Sequence, residues 1–386
     1  MTATIISSVH WDFVEHSAAR YHRLQLALSV LALVLGAGWL LAMTLTAVAR
    51  LVAELAMTVT DRLWWAVLVV SAATSIGHTV LTAPLTIARS YWLPRRYGLL
   101  HQRLAAWAFD RLKAAALGGL VGLIVIEVIY AVMARTPAWW IFAAAFVATV
   151  SLLGAVVFPV WIVPLFYTLT PLRDAALAER LEKLARRAGV PVLGVWLVDQ
   201  SRKSRTLNAA VAGFGRTRRI ILFDTLLERL GPDEVESVLA HELGHHAHHD
   251  MWRMVVIQTA LGFATFWVAD QLLRATAGPI GLRNLADPAG VPWFALVIGA
   301  LGLVGIPLVN WHSRAVERRA DDFALSVTGD AGAFISAMER LAEQNLAERH
   351  PPRWKETLLS SHPSVDRRIG RARRRVASAP RASESE

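Results

Sequence analysis

Two histidines and a glutamate stand close together in the segment 238–245. The segment reads Val-Leu-Ala-His-Glu-Leu-Gly-His, which places Glu242 between His241 and His245. On an α-helix, residues i and i+4 lie one turn apart on the same face. Two imidazoles in that arrangement can bind one zinc ion, with the glutamate beside the water on the metal. The same spacing also fits an exposed polar helix face with hydrogen-bonded histidines.

The surrounding residues favour a helix. Gly231-Pro232-Asp233 is a typical helix start, because proline and acids are favourable in the first turn. Apolar residues follow at helical spacing: Val235, Val238, Leu239 and Leu243. The chain contains no cysteine, so a metal here must be held by histidine and carboxylate side chains.

A catalytic zinc site requires a third protein ligand. Glu317 is the best candidate, because the predicted topology returns it to the membrane face on which the two histidines lie. Asp321 lies one turn further along the same helix face, where a carboxylate can orient a ligating histidine. The alternative is an exposed helix on which both acids pair with the neighbouring arginines Arg314, Arg318 and Arg319.

The elements that position these residues are membrane helices. Of the 386 residues, 55% are hydrophobic, which exceeds the usual fraction in soluble proteins. Six apolar segments approach the ~20 residues needed to cross a bilayer. The predicted spans are Leu24–Val48, Leu63–Ile87, Ala114–Met133, Ala138–Ile162, Val255–Leu273 and Trp293–Leu308.

The charge distribution predicts the orientation. The formal net charge is +10, and arginine is concentrated in the loop after the second span, in the segment after the fourth and in the C-terminal part. The positive-inside rule therefore places both termini and the histidine helix in the cytoplasm. This explains the charge without a nucleic-acid partner. The composition is typical of a GC-rich bacterium, so we expect a bacterial cytoplasmic membrane.

The chain divides into a four-span region (1–162), a catalytic region (163–376) that contains the last two spans, and a disordered tail (377–386). The catalytic region begins with an amphipathic helix, Leu172–Ala188, and continues with β-like runs at Val192–Val198 and Ile220–Phe223. We expect His246, His248 and His249 to extend the histidine helix as a solvated face, with a second metal site as the alternative. We expect the apolar continuation of this helix from Val255 to enter the membrane. After the sixth span, Asn310–Ala324 continues that span's helix. The run Arg367–Arg375 is interpreted as a patch facing lipid headgroups.

Several ordered motifs resemble one known family. They are Asn208-Ala209, the run Arg219–Leu226, the motif His241–His245, Ser313-Arg314-x-x-Glu317-x-x-Ala320-Asp321-x-Phe323-Ala324, and Ser361-His362-Pro363 with Arg368-Ile369. Together they resemble the integral-membrane zinc metalloendopeptidases that include the type I CAAX prenyl protease and the bacterial heat-shock membrane protease. The resemblance implies a mainly α, polytopic membrane protein of six to seven transmembrane helices. Its zincin-like (gluzincin) catalytic part would face the cytoplasm and carry a short β edge.

The resemblance also implies roles for the matching residues. His241, His245 and Glu317 match zinc ligands, one Zn²⁺ per chain, and Asp321 matches an acid that orients a ligand. Glu242 matches the general base that takes a proton from the attacking water and passes it to the leaving amine.

Three further assignments rest on the resemblance alone. Asn208 and Ala209 match an edge segment that aligns a peptide by strand addition. His362 and Arg368 match residues near the metal that stabilise the developing oxyanion.

The predicted activity is therefore zinc-dependent hydrolysis of membrane-associated proteins or peptides, with the lipid bilayer as the second partner. Val316 and Arg318 flank Glu317, and Ala210 follows Ala209, where the CAAX enzymes usually carry aromatics; these departures leave the substrate class open. One alternative is a quality-control protease of the heat-shock type, and another is a catalytically silent metal-binding membrane scaffold. Glu127 and His78 lie inside predicted spans and are additional functional candidates, with ordinary packing as the alternative for His78.

Overall fold

The chain is described by a computed structural model that covers residues 2–213 and 215–378, with side chains from Glu15 onward except at Arg216. The predicted disordered tail, 377–386, lies outside the described residues except for Ala377 and Ser378, which end the last helix. The α-helices are α1 (Thr2–Leu45), α2 (Val48–Met57), α3 (Leu63–Ile87), α4 (Leu93–Arg96), α5 (Leu104–Met133), α6 (Trp139–Val157), α7 (Ala175–Arg187), α8 (Asp224–Arg229), α9 (Pro232–Ala247), α10 (Asp250–Ala277), α11 (Val291–Thr328), α12 (Ala331–Gln344), α13 (Arg353–Leu359) and α14 (Val365–Ser378).

Six helical stretches of the described chain are long and apolar enough to cross a membrane, which confirms the predicted number. They are Glu15–Leu45, Leu63–Arg96, Leu104–Met133, Trp139–Leu165, Asp250–Ala277 and Pro288–Thr328. The second and fourth stretches are lengthened by five-residue π-helical turns, Ala88–Trp92 and Phe158–Ile162. The sequence-based spans overlap these stretches and are shorter, because polar residues that extend a helix beyond the bilayer carry no hydropathy signal; the first prediction runs three residues past Leu45, and the fourth begins one residue before Trp139.

The sixth span continues as one helix into the segment that carries Glu317. Helix α11 runs without interruption for 38 residues and ends at Gly329, whose φ of +69° is a left-handed conformation that glycine adopts readily. This confirms the predicted continuation through Asn310–Ala324. The third ligand candidate is thus on a rigid extension of a membrane helix.

The histidine helix does not continue into the fifth span, so that expectation is wrong. Helix α9 ends at Ala247, and His249 takes a left-handed conformation with φ of 56° before α10 begins at Asp250. A left-handed residue cannot propagate a right-handed helix. The chain therefore turns between the two helices, and the turn brings Asp250 back towards His245.

A small sheet lies beside α9. It contains β1 (Leu169–Pro171), β2 (Val195–Val198), β3 (Ala209–Ala212) and β4 (Arg219–Phe223), in the order β1-β2-β4-β3. Strands β2 and β4 are parallel, and the other two pairs are antiparallel. The predicted runs at Val192–Val198 and Ile220–Phe223 correspond to β2 and β4. Strand β3, which contains Ala209, pairs only with β4 and is an edge of this sheet.

Three apolar clusters occur among the described residues, and the two larger ones hold these parts together. One core joins α7, the sheet, α9, α12 and α14, and includes the fully buried Leu239 and Leu243 of the histidine helix. The other lies among the membrane helices and includes Trp139, whose indole N–H donates to Asp270 at 2.6 Å. The ring of His78 on α3 packs on Gly36 of α1, where a Cβ atom would come within 2.4 Å of it.

Candidate metal centre and active site

Helices α9 and α11 approach closely at the histidine motif. A Cβ atom on Gly244 would meet Cα of Ala320 and Cβ of Phe323 at 3.2 Å each. Glycine therefore allows the two helices to touch at this level. The contact lies beside His245 on one helix and one turn beyond Glu317 on the other.

The close approach brings three potential ligands together. One ligand atom each from His241, His245 and Glu317 lies within 4.8 Å of the others, and no second such group occurs in the described part of the chain. Glu317 Oε2 is 3.2 Å from His241 Nε2, and Glu317 Oε1 is 3.6 Å from His245 Nε2. Two imidazole nitrogens and a carboxylate are a typical donor set for zinc.

The contacts of the two ring nitrogens of His241 favour a cation between His241 and Glu317. Its Nδ1 lies 2.9 Å from Asp321 Oδ1, so this nitrogen donates and Nε2 presents its lone pair to Glu317. Glu317 Oε2 is buried and has no hydrogen-bond partner among residues 2–213 and 215–378. Two facing acceptors are stable only with a proton or a metal between them. Burial alone lowers the pKa of His241, but the carboxylates of Asp321 and Glu317, which would both accept from the protonated ring, outweigh it and raise this pKa to about 9.

Both histidines carry a carboxylate on the nitrogen that points away from Glu317. His241 has Asp321, and His245 Nδ1 lies 3.3 Å from Asp250 Oδ2. Such acids fix the ring orientation and increase the basicity of the ligating nitrogen. Asp321 was predicted in this position, whereas Asp250 was not. The signal for Asp250 was weak: a single acid, five residues after His245, at the start of an apolar helix.

Each of these carboxylates is in turn held by an arginine. Arg368 donates to Asp321 twice, from Nη2 at 2.6 Å and from Nε at 2.9 Å. Arg319 Nη2 donates to Asp250 Oδ1 at 2.9 Å. Arg368 Nη2 also lies 3.3 Å from His241 Nδ1, which puts the guanidinium on the Asp321 side of that ring.

A cleft of about 560 Å³ opens beside the three ligands. Glu242, Asn208, Ala209, His362 and Arg368 are among its lining residues. Burial raises the pKa of the Glu242 carboxyl, which makes it a better proton acceptor when ionised. His362 is largely exposed, with Nε2 3.2 Å from Glu317 Oε1. The structure therefore brings all nine sequence-predicted site residues together. Six of them line this cleft, and the other three, His245, Glu317 and Asp321, contact the lining residue His241.

The edge strand at this cleft is tied at both ends by side chains. The amide of Asn345 binds both backbone groups of Leu207, accepting from its N–H at 2.8 Å and donating to its carbonyl at 3.0 Å. At the other end, His246 Nε2 donates to the carbonyl of Val211 at 2.9 Å. The histidine after the motif thus binds the edge strand rather than forming part of a second metal site.

Ala209 lies between these two ties. Asn208 accepts a hydrogen bond from Phe223 N–H, so its backbone faces β4, and the alternation of an antiparallel ladder turns Ala209 to the open edge. The Ala209 N–H donates to the Asn208 side chain at 3.0 Å.

Glu127 lies away from this cleft: its Oε1 is buried in α5 without a partner among the described residues.

A bundle of apolar spanning helices that carries two histidines and an acid around one potential metal site defines an integral-membrane metallopeptidase. The family comparisons agree with that class. Peptidase family M48 matches residues 171–376, and the domain described as the CAAX prenyl protease N-terminal region, with five membrane helices, matches residues 13–168. In that second region the structure has four spanning helices and the ten-residue α2. The chain belongs to peptidase family M48, and it is a membrane metalloprotease.

Individual relatives support the assignment. The chain is 29% identical over 303 residues to the uncharacterized metalloprotease YhfN of Bacillus subtilis, covering 77% of this chain and 71% of the relative. It is 31% identical over 301 residues to the CAAX prenyl protease 1 homolog of Arabidopsis thaliana, covering 74% and 68%. The crystal structure of S. mikatae Ste24p shares the fold, with a TM-score of 0.81, 23% identity and coverage of 94% of this chain and 89% of that one.

Proposed function

We propose that the chain is a zinc-dependent endopeptidase that hydrolyses membrane-associated proteins or peptides, with one Zn²⁺ held by His241, His245 and Glu317. The observation that carries the proposal is the convergence of these three donors, with both histidine rings oriented by carboxylates. We also propose that residues 163–376, with their two spans, form the catalytic region behind the four-span region 1–162.

Zinc at this position supplies a Lewis acid and lowers the pKa of a water molecule towards ~7. Glu242 accepts the proton of the attacking water and delivers it to the leaving amine. Its raised pKa suits both steps, because the carboxylate binds a proton readily and the resulting acid releases it to a more basic group.

Four further residues assist catalysis, three at the peptide and one through Asp321. The backbone of Ala209 pairs with the substrate as an added strand, and the Asn208 side chain gives up its bond to the Ala209 N–H when the peptide docks. His362 stabilises the oxyanion, because its exposed ring lines the cleft next to the metal ligands, with Nε2 3.2 Å from Glu317 Oε1. Arg368 assists through Asp321, which it holds against His241.

The names of similar proteins support a proposal for the substrate class. Several are named CAAX prenyl proteases, and they match about three quarters of this chain. We propose peptide segments next to the membrane as substrates, because His241 in the cleft wall contacts Glu317, which lies on α11, a spanning helix that extends into the catalytic region. The proposed orientation has this active site and both termini on the cytoplasmic side of a bacterial membrane, and the concentration of arginine in the loops supports it.

The decisive experiment compares wild type with Glu242→Gln and a control, Glu228→Gln, which changes an exposed carboxyl on α8. All three proteins should bind about one zinc per chain. Glu242→Gln should lose peptide cleavage by several orders of magnitude, and the control should retain it. Normal cleavage by Glu242→Gln would remove the general-base assignment. Zinc binding without any cleavage by wild type would indicate a metal-binding scaffold.

A further inference from the structure

A second cavity, of about 700 Å³, lies behind the metal centre and is lined mainly by arginine. It is enclosed by α11, the segment 350–353 and α14. Seven arginines and one histidine line this arginine cavity, against three carboxylates. Arg368 belongs to its wall and also to the wall of the active-site cleft. The cavity therefore carries a large excess of positive charge directly behind the Asp321–Arg368 pair.

The three carboxylates are already engaged. Asp321 is bound by Arg368, and Asp366 lies 2.8 Å from both Arg349 and His350. Glu356 Oε1 is 3.2 Å from Arg367 Nη1 and also accepts from a backbone N–H. Each of the three carboxylates therefore already has a basic partner, and the seven arginines outnumber them.

Three of the lining arginines make no hydrogen bond or ion pair with the described part of the chain. They are Arg318 on α11, Arg353 at the start of α13 and Arg374 on α14. All three are exposed, and they line one cavity from three separate elements, so the periodicity of a single helix does not explain this arrangement. Like charges that converge in this way repel one another, and a bound anion removes that cost.

The ligand chemistry follows from the geometry of guanidinium. Each guanidinium presents parallel N–H donors that match two oxygens of a phosphate. A carboxylate has two oxygens, whereas a phosphate group or a short phosphate chain has more acceptor oxygens and more negative charge for three guanidinium groups. The volume is within the range of sites for small molecules, about 300–1,000 Å³.

We propose that the arginine cavity binds a phosphate-bearing ligand through Arg318, Arg353 and Arg374. Two sources have this chemistry, namely an anionic phospholipid headgroup and a soluble polyphosphate compound. The site is separate from the zinc ligands, so its existence does not depend on the proposed peptidase mechanism.

The test uses the full chain, purified in detergent and freed of lipid, with inorganic tripolyphosphate as the probe. The cavity variant is Arg318→Gln/Arg353→Gln/Arg374→Gln. The matched control is Arg173→Gln/Lys183→Gln/Arg229→Gln, which removes the same charge from exposed positions outside the cavity. Zinc content reports folding of both variants.

Wild type and control should bind tripolyphosphate with equal affinity, and the cavity variant should bind at least about tenfold more weakly while retaining zinc. Equal affinity of cavity variant and control would overturn the proposal, as would the absence of saturable binding by wild type. A competition arm identifies the source. Displacement of tripolyphosphate by phosphatidylglycerol vesicles, but not by phosphatidylcholine vesicles, assigns the site to a lipid headgroup. Failure of both to displace it assigns the site to a soluble phosphate compound.

Discussion

Gly244→Ala tests whether the contact between α9 and α11 sets the metal geometry. The added methyl would lie 3.2 Å from Cα of Ala320 and from Cβ of Phe323. Carbon atoms prefer separations of about 3.5–4.0 Å, so the helices must part by about 0.3 Å or more. The contacted atom of Ala320 is its Cα, a backbone atom that cannot rotate away. Overpacking of this kind costs about 1–3 kcal/mol.

The displacement falls on the ligands themselves. His245 follows Gly244 directly, and Glu317 lies one turn before Ala320. A metal site tolerates about 0.2 Å in its ligand distances, which is less than the required shift. If the strain appears as lost metal binding, a cost of about 1–3 kcal/mol weakens zinc affinity roughly 5-fold to 150-fold.

The assay is a zinc competition titration against a chelator, together with thermal unfolding with and without zinc. Gly299→Ala on α11 and Gly262→Ala on α10 are the controls, because a Cβ atom at either position meets nothing within 4 Å. Both controls should keep wild-type zinc affinity. The reasoning is refuted if Gly244→Ala also binds zinc with wild-type affinity and unfolds at the wild-type temperature.

Three further predictions concern the residues around the ligands. Asp250→Asn should weaken zinc binding about 10-fold to 100-fold, because His245 loses the acid that orients it; unchanged affinity in the same titration would show that this contact is dispensable. With its pKa at about 9, His241 is protonated below that pH in the metal-free protein, so zinc must displace a proton. The zinc Kd should therefore rise about tenfold for each unit that the pH falls from 8 to 6, and a flat profile would contradict this. Asn345→Ala frees the Leu207 end of the edge strand and should raise KM for a peptide more than it lowers kcat, whereas an equal loss in both would indicate general damage to the site.

Local and one-dimensional signals determined much of this protein. The six spans were predictable because a bilayer demands ~20 consecutive apolar residues, and that demand is visible in the sequence. The pairing of His241 with His245 was predictable because helical periodicity alone puts residues four apart on one face. Glu317 followed from topology, since an even number of crossings returns the chain to the same side. The roles of these residues stay predictions until the variants are measured.

Contacts between distant parts of the chain were not predictable in this way. The pattern Ala-Ala-Val-Ala of β3 has weak strand propensity, and pairing with β4 makes it a strand. Its ties to Asn345 and His246 join residues that are up to 138 positions apart. The position of Asp250 depends on a left-handed turn at His249, a conformation that is uncommon for residues other than glycine and that the local sequence did not indicate.

The sequence by itself thus determined the membrane helices, the histidine pair and the acid that joins them, because periodicity, hydropathy and crossing number are properties of the chain alone. Tertiary structure decided how the metal centre is held: the glycine contact of α9 with α11, the acid behind each histidine, the arginine behind each acid and the arginine cavity beyond. Those arrangements arise from packing between elements, and packing depends on side chains that meet only after the chain has folded.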